Sequence, residues 1–130
     1  MTRFLYTGVR VRDMDRAIAF YTTVMGFILR KRAAIEDTGG EIAELVVQPT
    51  DEHYLELNWY PEGSRFHEPF ARGTELDHLC LEVPDVDAEV ERLRALGVTI
   101  SVEPFVEGRY RLAYVEDPGG IAFEISSPPL

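Results

Sequence analysis

Val11-Arg12-Asp13-Met14-Asp15 returns 72 positions later as Val83-Pro84-Asp85-Val86-Asp87. A stretch that recurs with its surroundings marks a repeated structural unit. Each copy follows an alternating run with the period of a strand, Phe4 to Val11 and His78 to Val83, and each precedes a helical pattern. Met14, Ala17, Ile18, Tyr21 and Met25 form one apolar stripe; Val86, Val90, Leu93 and Leu96 form the other. Asp13 and Asp85 stand where an N-cap belongs, and Gly26 and Gly97 suit the left-handed turn that closes a helix. Three strand-like runs follow each helix: Phe27 to Ala34, Glu41 to Val47 and Tyr54 to Trp59, then Thr99 to Glu103, Arg109 to Val115 and Ile121 to Ser126. Thr38-Gly39-Gly40, Glu107-Gly108 and Asp117-Pro118-Gly119-Gly120 supply the turns between them. The expectation is an α+β fold of two tandem βαβββ modules, about 4–60 and 77–127, joined by a polar loop at about 61–76 within one domain spanning 1–130.

Composition agrees with one globular domain. The 130 residues are 45% hydrophobic, enough to bury a core without covalent staples. Cys80 is the only cysteine, so no disulfide forms within the chain. A formal charge of −10 opposes binding along a phosphate backbone, which excludes nucleic acid as an expected partner. No apolar run approaches the roughly 20 residues of a membrane span, and Met1 to Phe4 lack the features of a signal peptide. The expected setting is therefore cytoplasmic, with no membrane partner.

Strand alternation separates a core face from a polar one. Leu55, Leu57 and Trp59 oppose Tyr54, Glu56 and Asn58; Ile121, Phe123 and Ile125 oppose Ala122, Glu124 and Ser126. Leu79, Leu81 and Val83 oppose His78, Cys80 and Glu82, and Thr7, Val9 and Val11 oppose Tyr6, Gly8 and Arg10. Helices must cover the apolar faces. Under the duplication Tyr6 corresponds to His78, and Glu56 to Glu124. If the modules pack about a pseudo-twofold axis, one imidazole and two carboxylates converge beside a phenol. Such an N/O set suits a divalent metal such as Zn, Ni, Co, Mn or Fe. Residue types alone favour the plainer reading, because a glutamate between leucines usually lies on a solvated strand face and a lone strand histidine is more often structural than a ligand; the equivalence between the copies is what raises the metal reading.

The segment from Tyr6 to Tyr21, followed by Val24-Met25-Gly26-Phe27, resembles the opening of the glyoxalase I-like, vicinal-oxygen-chelate superfamily, which also includes bleomycin resistance proteins and dioxygenases. Leu55-Glu56-Leu57, the stretch around His78, and Val115 to Gly120 leading to Phe123-Glu124 extend the resemblance over nearly the whole chain. It implies a cupped mixed sheet around a metal, a small-molecule substrate and a homodimer. In glyoxalase I the metal is held by a His or Gln, a Glu, a His and a Glu in chain order. The resemblance therefore implies Glu56, His78 and Glu124 as metal ligands, and Glu56 and Glu124 as catalytic residues with Glu124 the base. Tyr6 stands at the first ligand position and is a poor ligand while protonated, so it reads as a pocket wall or proton donor. Arg10 sits where glyoxalase I keeps an arginine for glutathione. Tyr60 replaces the expected Asn, while Asn58 shares the face of Glu56. Tyr6, Arg10, Tyr54 and Asn58 are the expected substrate-binding residues.

The implied activity is that of a metal-dependent lyase or isomerase of the glyoxalase I type. A metal-stabilised enediolate would carry the proton transfer on a thiol adduct of a 2-oxoaldehyde or a related oxygenated substrate. Two alternatives stand beside it. One is a metal-free binding or resistance protein with Tyr6, Tyr54, Trp59 and Phe66 as an aromatic cup. The other is a different enzyme of the superfamily, an acyl-thioester epimerase or a catechol dioxygenase, against which Glu56 argues: the epimerases tend to carry Gln there, and the short dioxygenases favour two His and one Glu. Cys80 and His67 read as a small buried residue and a solvated loop histidine, and His53 has no partner visible in the sequence.

Overall fold

The side chain of Asp13 accepts a hydrogen bond from the Arg16 amide, and that of Asp85 from the Ala88 amide, so both helices start at the expected caps. The computed structural model describes residues 1–116 and 120–130. In chain order the elements are β1 (Arg3–Arg10), α1 (Met14–Ala19), β2 (Ile28–Ile35), β3 (Gly40–Val46), β4 (Tyr54–Trp59), β5 (Leu76–Glu82), α2 (Val86–Ala95), β6 (Thr99–Glu107), β7 (Tyr110–Glu116) and β8 (Ala122–Ser126). Strand, helix and three strands thus occur twice. The turn expected at Asp117 to Gly120 falls largely on 117–119, outside the described residues.

Two compact units divide the chain, one of Tyr6–Asp77 and one of Met1–Leu5 with His78–Leu130. In the first, the strands lie in the order β2-β3-β4-β1, with β1 parallel to β4 and the other pairs antiparallel. In the second the order is β5-β8-β7-β6, and only β5 and β8 are parallel. Each mixed sheet carries one helix over its apolar face. Met14 packs with Ala43, Leu45 and Leu57, joined by Val9, Leu55 and Trp59; Val86 and Val90 pack with Ala113, Val115 and Ile125, joined by Leu81 and Phe123. The core faces are those that alternation assigns, which leaves the polar faces on the other side of each sheet.

Three elements depart from the sequence reading. The first helical segment changes pitch at Phe20 and runs to Val24 as a π-helix, which takes Met25 off the buried stripe and leaves it exposed. Leu96 is likewise exposed, because α2 ends before it reaches the core side. β6 continues past Glu103 to Glu107 by passing Pro104 at irregularities in its pairing with β7, as an end strand of its sheet permits. No helix among the described residues is long and apolar enough to cross a membrane.

Candidate functional site

On the polar face of the unit Tyr6–Asp77, β1 presents Tyr6, Gly8 and Arg10 in register with Tyr54, Glu56 and Asn58 of β4. Tyr6 is buried, and its ring stacks on Tyr54 with centroids 4.9 Å apart and planes 26° apart. The Arg30 guanidinium carbon lies 4.7 Å from the centre of the Tyr54 ring. This makes Tyr6 and Tyr54 a rigid aromatic wall. Gly8, opposite Glu56, brings no side chain to its place in the row. The Glu56 carboxylate is buried and accepts a hydrogen bond of 2.7 Å from Asn58 Nδ2. Asn58 is only 1% exposed, and its Oδ1 has no hydrogen-bond partner among the described residues. Its amide orientation follows from charge: turned over, the oxygen would face the carboxylate.

Arg10, next along the same face, is held by two carboxylates. Its Nε lies 3.1 Å from Asp77 Oδ1 and its Nη1 2.9 Å from Glu68 Oε2, while Tyr60 donates its hydroxyl proton to Asp77 Oδ2 at 2.9 Å. Burial works against the Arg10 charge, but its hydrogen bond to Glu68 and the charges of Asp77 and Glu68 more than offset this and raise its pKa.

In the other unit His78 and Glu124 are buried on β5 and β8, and fully buried Cys80 pairs across from Glu124. Tyr114, opposite Glu124 on β7, donates its hydroxyl to Glu124 Oε1 at 3.0 Å, and its ring meets the His78 imidazole edge-on at 6.0 Å. A histidine, a tyrosine and a glutamate therefore form one neighbourhood. Among the described residues, no three or more His, Cys, Asp or Glu side chains gather as a ligand set. The donor chemistry nonetheless fits a divalent ion. Glu56 and Glu124 occupy equivalent places in the two units, each buried with one oxygen oriented by a neutral donor, and His78 adds a nitrogen.

The family model of the Glyoxalase/Bleomycin resistance protein/Dioxygenase superfamily matches residues 3–125. The chain belongs to this superfamily. A lactoylglutathione lyase of Salmonella typhimurium is 34% identical over 128 residues, which cover 95% of this chain and 90% of that protein. The chain spans only 35% and 43% of the length of two Arabidopsis thaliana relatives named as lactoylglutathione lyases. Among solved structures, the methylmalonyl-CoA epimerase of Mycobacterium tuberculosis matches with a TM-score of 0.79 at 27% identity, over 98% of this chain and 88% of that one. The glyoxalase and bleomycin resistance fold expected from the sequence is thereby shown.

Several contacts escaped the sequence reading. Tyr114 sits on the polar face of β7, where alternation against buried Ala113 and Val115 signals it. Asp77 and Glu68 carry no local signal, since they meet Arg10 only through the fold. His53 pairs with the Thr7 hydroxyl at 3.1 Å, and His67 lines a pocket with Arg10 and Tyr60. The aromatic cup divides: Tyr6 and Tyr54 stack, Phe66 lies against Tyr60, and Trp59 packs against the core.

Proposed function

We propose that the chain is a metal-dependent lyase of the glyoxalase I type, moving a proton between adjacent carbons of a thiol adduct of a 2-oxoaldehyde. Two buried glutamates at equivalent places in a duplicated fold carry this reading, each with a neutral hydrogen-bond donor on one oxygen. Burying a carboxylate is costly unless charge and hydrogen bonds compensate it, and a shared cation would compensate both. Glu56, His78 and Glu124 are the proposed ligands. Bound there, a divalent ion supplies Lewis-acid polarisation of the substrate oxygens.

The chain's own residues do the rest. Glu124 takes the carbon-bound proton and returns it to the neighbouring carbon. The Tyr114 hydroxyl fixes the rotation of the Glu124 carboxylate through Oε1. Glu56 stays a ligand, oriented by Asn58, whose second amide atom is an acceptor for a substrate hydroxyl. Tyr6 and Tyr54 wall the site, Tyr6 in place of a fourth ligand, and Arg10 offers charge to the substrate's distal part. The assembly is proposed as a cytoplasmic homodimer; exposed Phe20, Val24, Met25, Ile28 and Leu29 on one unit support self-association.

A second reading, epimerisation of an acyl thioester, is favoured by the likeness to methylmalonyl-CoA epimerases. Both reactions remove and replace a proton beside a carbonyl. Parallel assays decide between them: turnover of a methylglyoxal thiol adduct supports the lyase, and deuterium exchange into a 2-methylmalonyl thioester without lyase turnover supports the epimerase.

A further inference from the structure

A pocket of about 190 Å³ in the unit Tyr6–Asp77 is lined by Arg10, Arg12, Trp59, Tyr60, Glu68 and Phe70, among others. The two carboxylates that reach Arg10 are held very differently. Asp77, with its side chain 12% exposed, is fixed from two sides, by Arg10 Nε and by the Tyr60 hydroxyl. Glu68 lies in the loop between β4 and β5 with its side chain 67% exposed, and the bond to Arg10 Nη1 is its only polar side-chain contact among the described residues. A solvated pair of that kind is weak. The Arg10 side chain is 14% exposed, so its charge needs a partner more than Glu68 needs Arg10.

Arg12 lines the same pocket. Its guanidinium carbon lies 4.1 Å from the centre of the Phe70 ring, and no carboxylate pairs with it among the described residues. Stacking holds a guanidinium in place without neutralising it. Arg10, Arg12 and Asp77 together leave one positive charge in a chain whose net charge is −10, and Glu68 cancels it. A carboxylate brought by a ligand would cancel it as well.

We propose that Glu68 is an internal stand-in for a ligand carboxylate: it holds Arg10 until an incoming carboxylate takes its place beside Arg10 and Arg12. The ligand class is a carboxylate-bearing arm of the thiol carrier, with Trp59 and Tyr60 as walls. This rests on the reading that Arg10 faces the substrate. Glu68 then sets how tightly acidic carriers bind, by competing with them.

Calorimetric titration with S-methylglutathione and with its diethyl ester tests this on the full chain. Glu68→Gln keeps the side chain's size and removes the competing charge, so the dissociation constant for the acid falls roughly two- to five-fold and that for the ester does not change. Arg12→Gln raises the constant for the acid by a similar factor. Glu62→Gln changes the loop's charge outside the pocket lining and leaves both constants alone. An unchanged or weaker acid affinity in Glu68→Gln overturns the proposal. So does an equal gain for the ester or in Glu62→Gln, or no binding of the acid to any variant. Turnover is measured separately: tighter acid binding in Glu68→Gln without lyase turnover in the unaltered chain sinks the lyase reading and leaves the competition standing. Turnover without a Glu68 effect does the reverse.

Discussion

One hydrogen bond joins Tyr114 to Glu124, the proposed base, and separates two variants that test the proposal. Glu124→Gln keeps the side chain's shape and its acceptor for the Tyr114 hydroxyl but removes the base, so kcat on the preferred substrate falls by about 100-fold or more. Tyr114→Phe keeps the base and loses only its orientation, a change of about ten-fold in kcat with little effect on KM. Steady-state kinetics of the two variants check both, and a Tyr114→Phe loss as large as that of Glu124→Gln would assign the tyrosine a direct role. The sequence reveals Glu56, His78 and Glu124 because alternation puts them on polar faces and duplication aligns the two glutamates. It also places Asn58 beside Glu56, two residues along the same strand. Tyr114 is harder to find, since its partnership with Glu124 depends on the register of β7 against β8. The pairing of Arg10 with Glu68 and Asp77 joins residues far apart in the chain, where no local pattern can reach.

The two helices end on the same chemistry, and that gives a paired test. Gly26 and Gly97 have φ of 80° and 83°, and a Cβ at either would meet nothing within 4 Å. Alanine at either position is therefore expected to destabilise by about 1 kcal/mol through backbone conformation alone, read as a shift in urea midpoint. A much larger loss would point to a packing role. In α2 the Asp87 carboxylate faces Arg111 of β7 at 2.5 Å, and its hydrogen bond to that guanidinium lowers its pKa below the usual carboxylate value. Its pairing is complete above the unfolded pKa and is lost as pH falls through the lower folded one. Carbon-detected NMR should show Asp87 titrating below other exposed aspartates, with Arg111→Met returning it to their range. Caps and glycine stops made both helices legible. The π-helical turn at Phe20 and the passage of β6 through Pro104 were not, because both are local compromises with packing rather than consequences of periodicity.

The duplication is the main fact about the molecule as a whole, since the repeated segment with its flanking patterns predicts the chain order, strand, helix and three strands occurring twice, that the eight strands and two helices follow. It also carries the proposal that both units supply donors to one ion. A homodimer is expected at micromolar concentration in sedimentation, and Val24→Arg, which charges one of the exposed apolar side chains, should shift it towards monomer. A monomer throughout that range would refute the assembly. The metal is the more direct matter, because the lyase reading fails without it. Calorimetric titration of metal-stripped protein with Ni²⁺ or Zn²⁺ should show one ion per chain, with binding lost or severely weakened in Glu56→Gln and His78→Ala and loosened less in Glu124→Gln, whose larger loss is in proton transfer. Failure of the unaltered chain to bind either ion, or binding that persists undiminished in all three variants, would contradict the account.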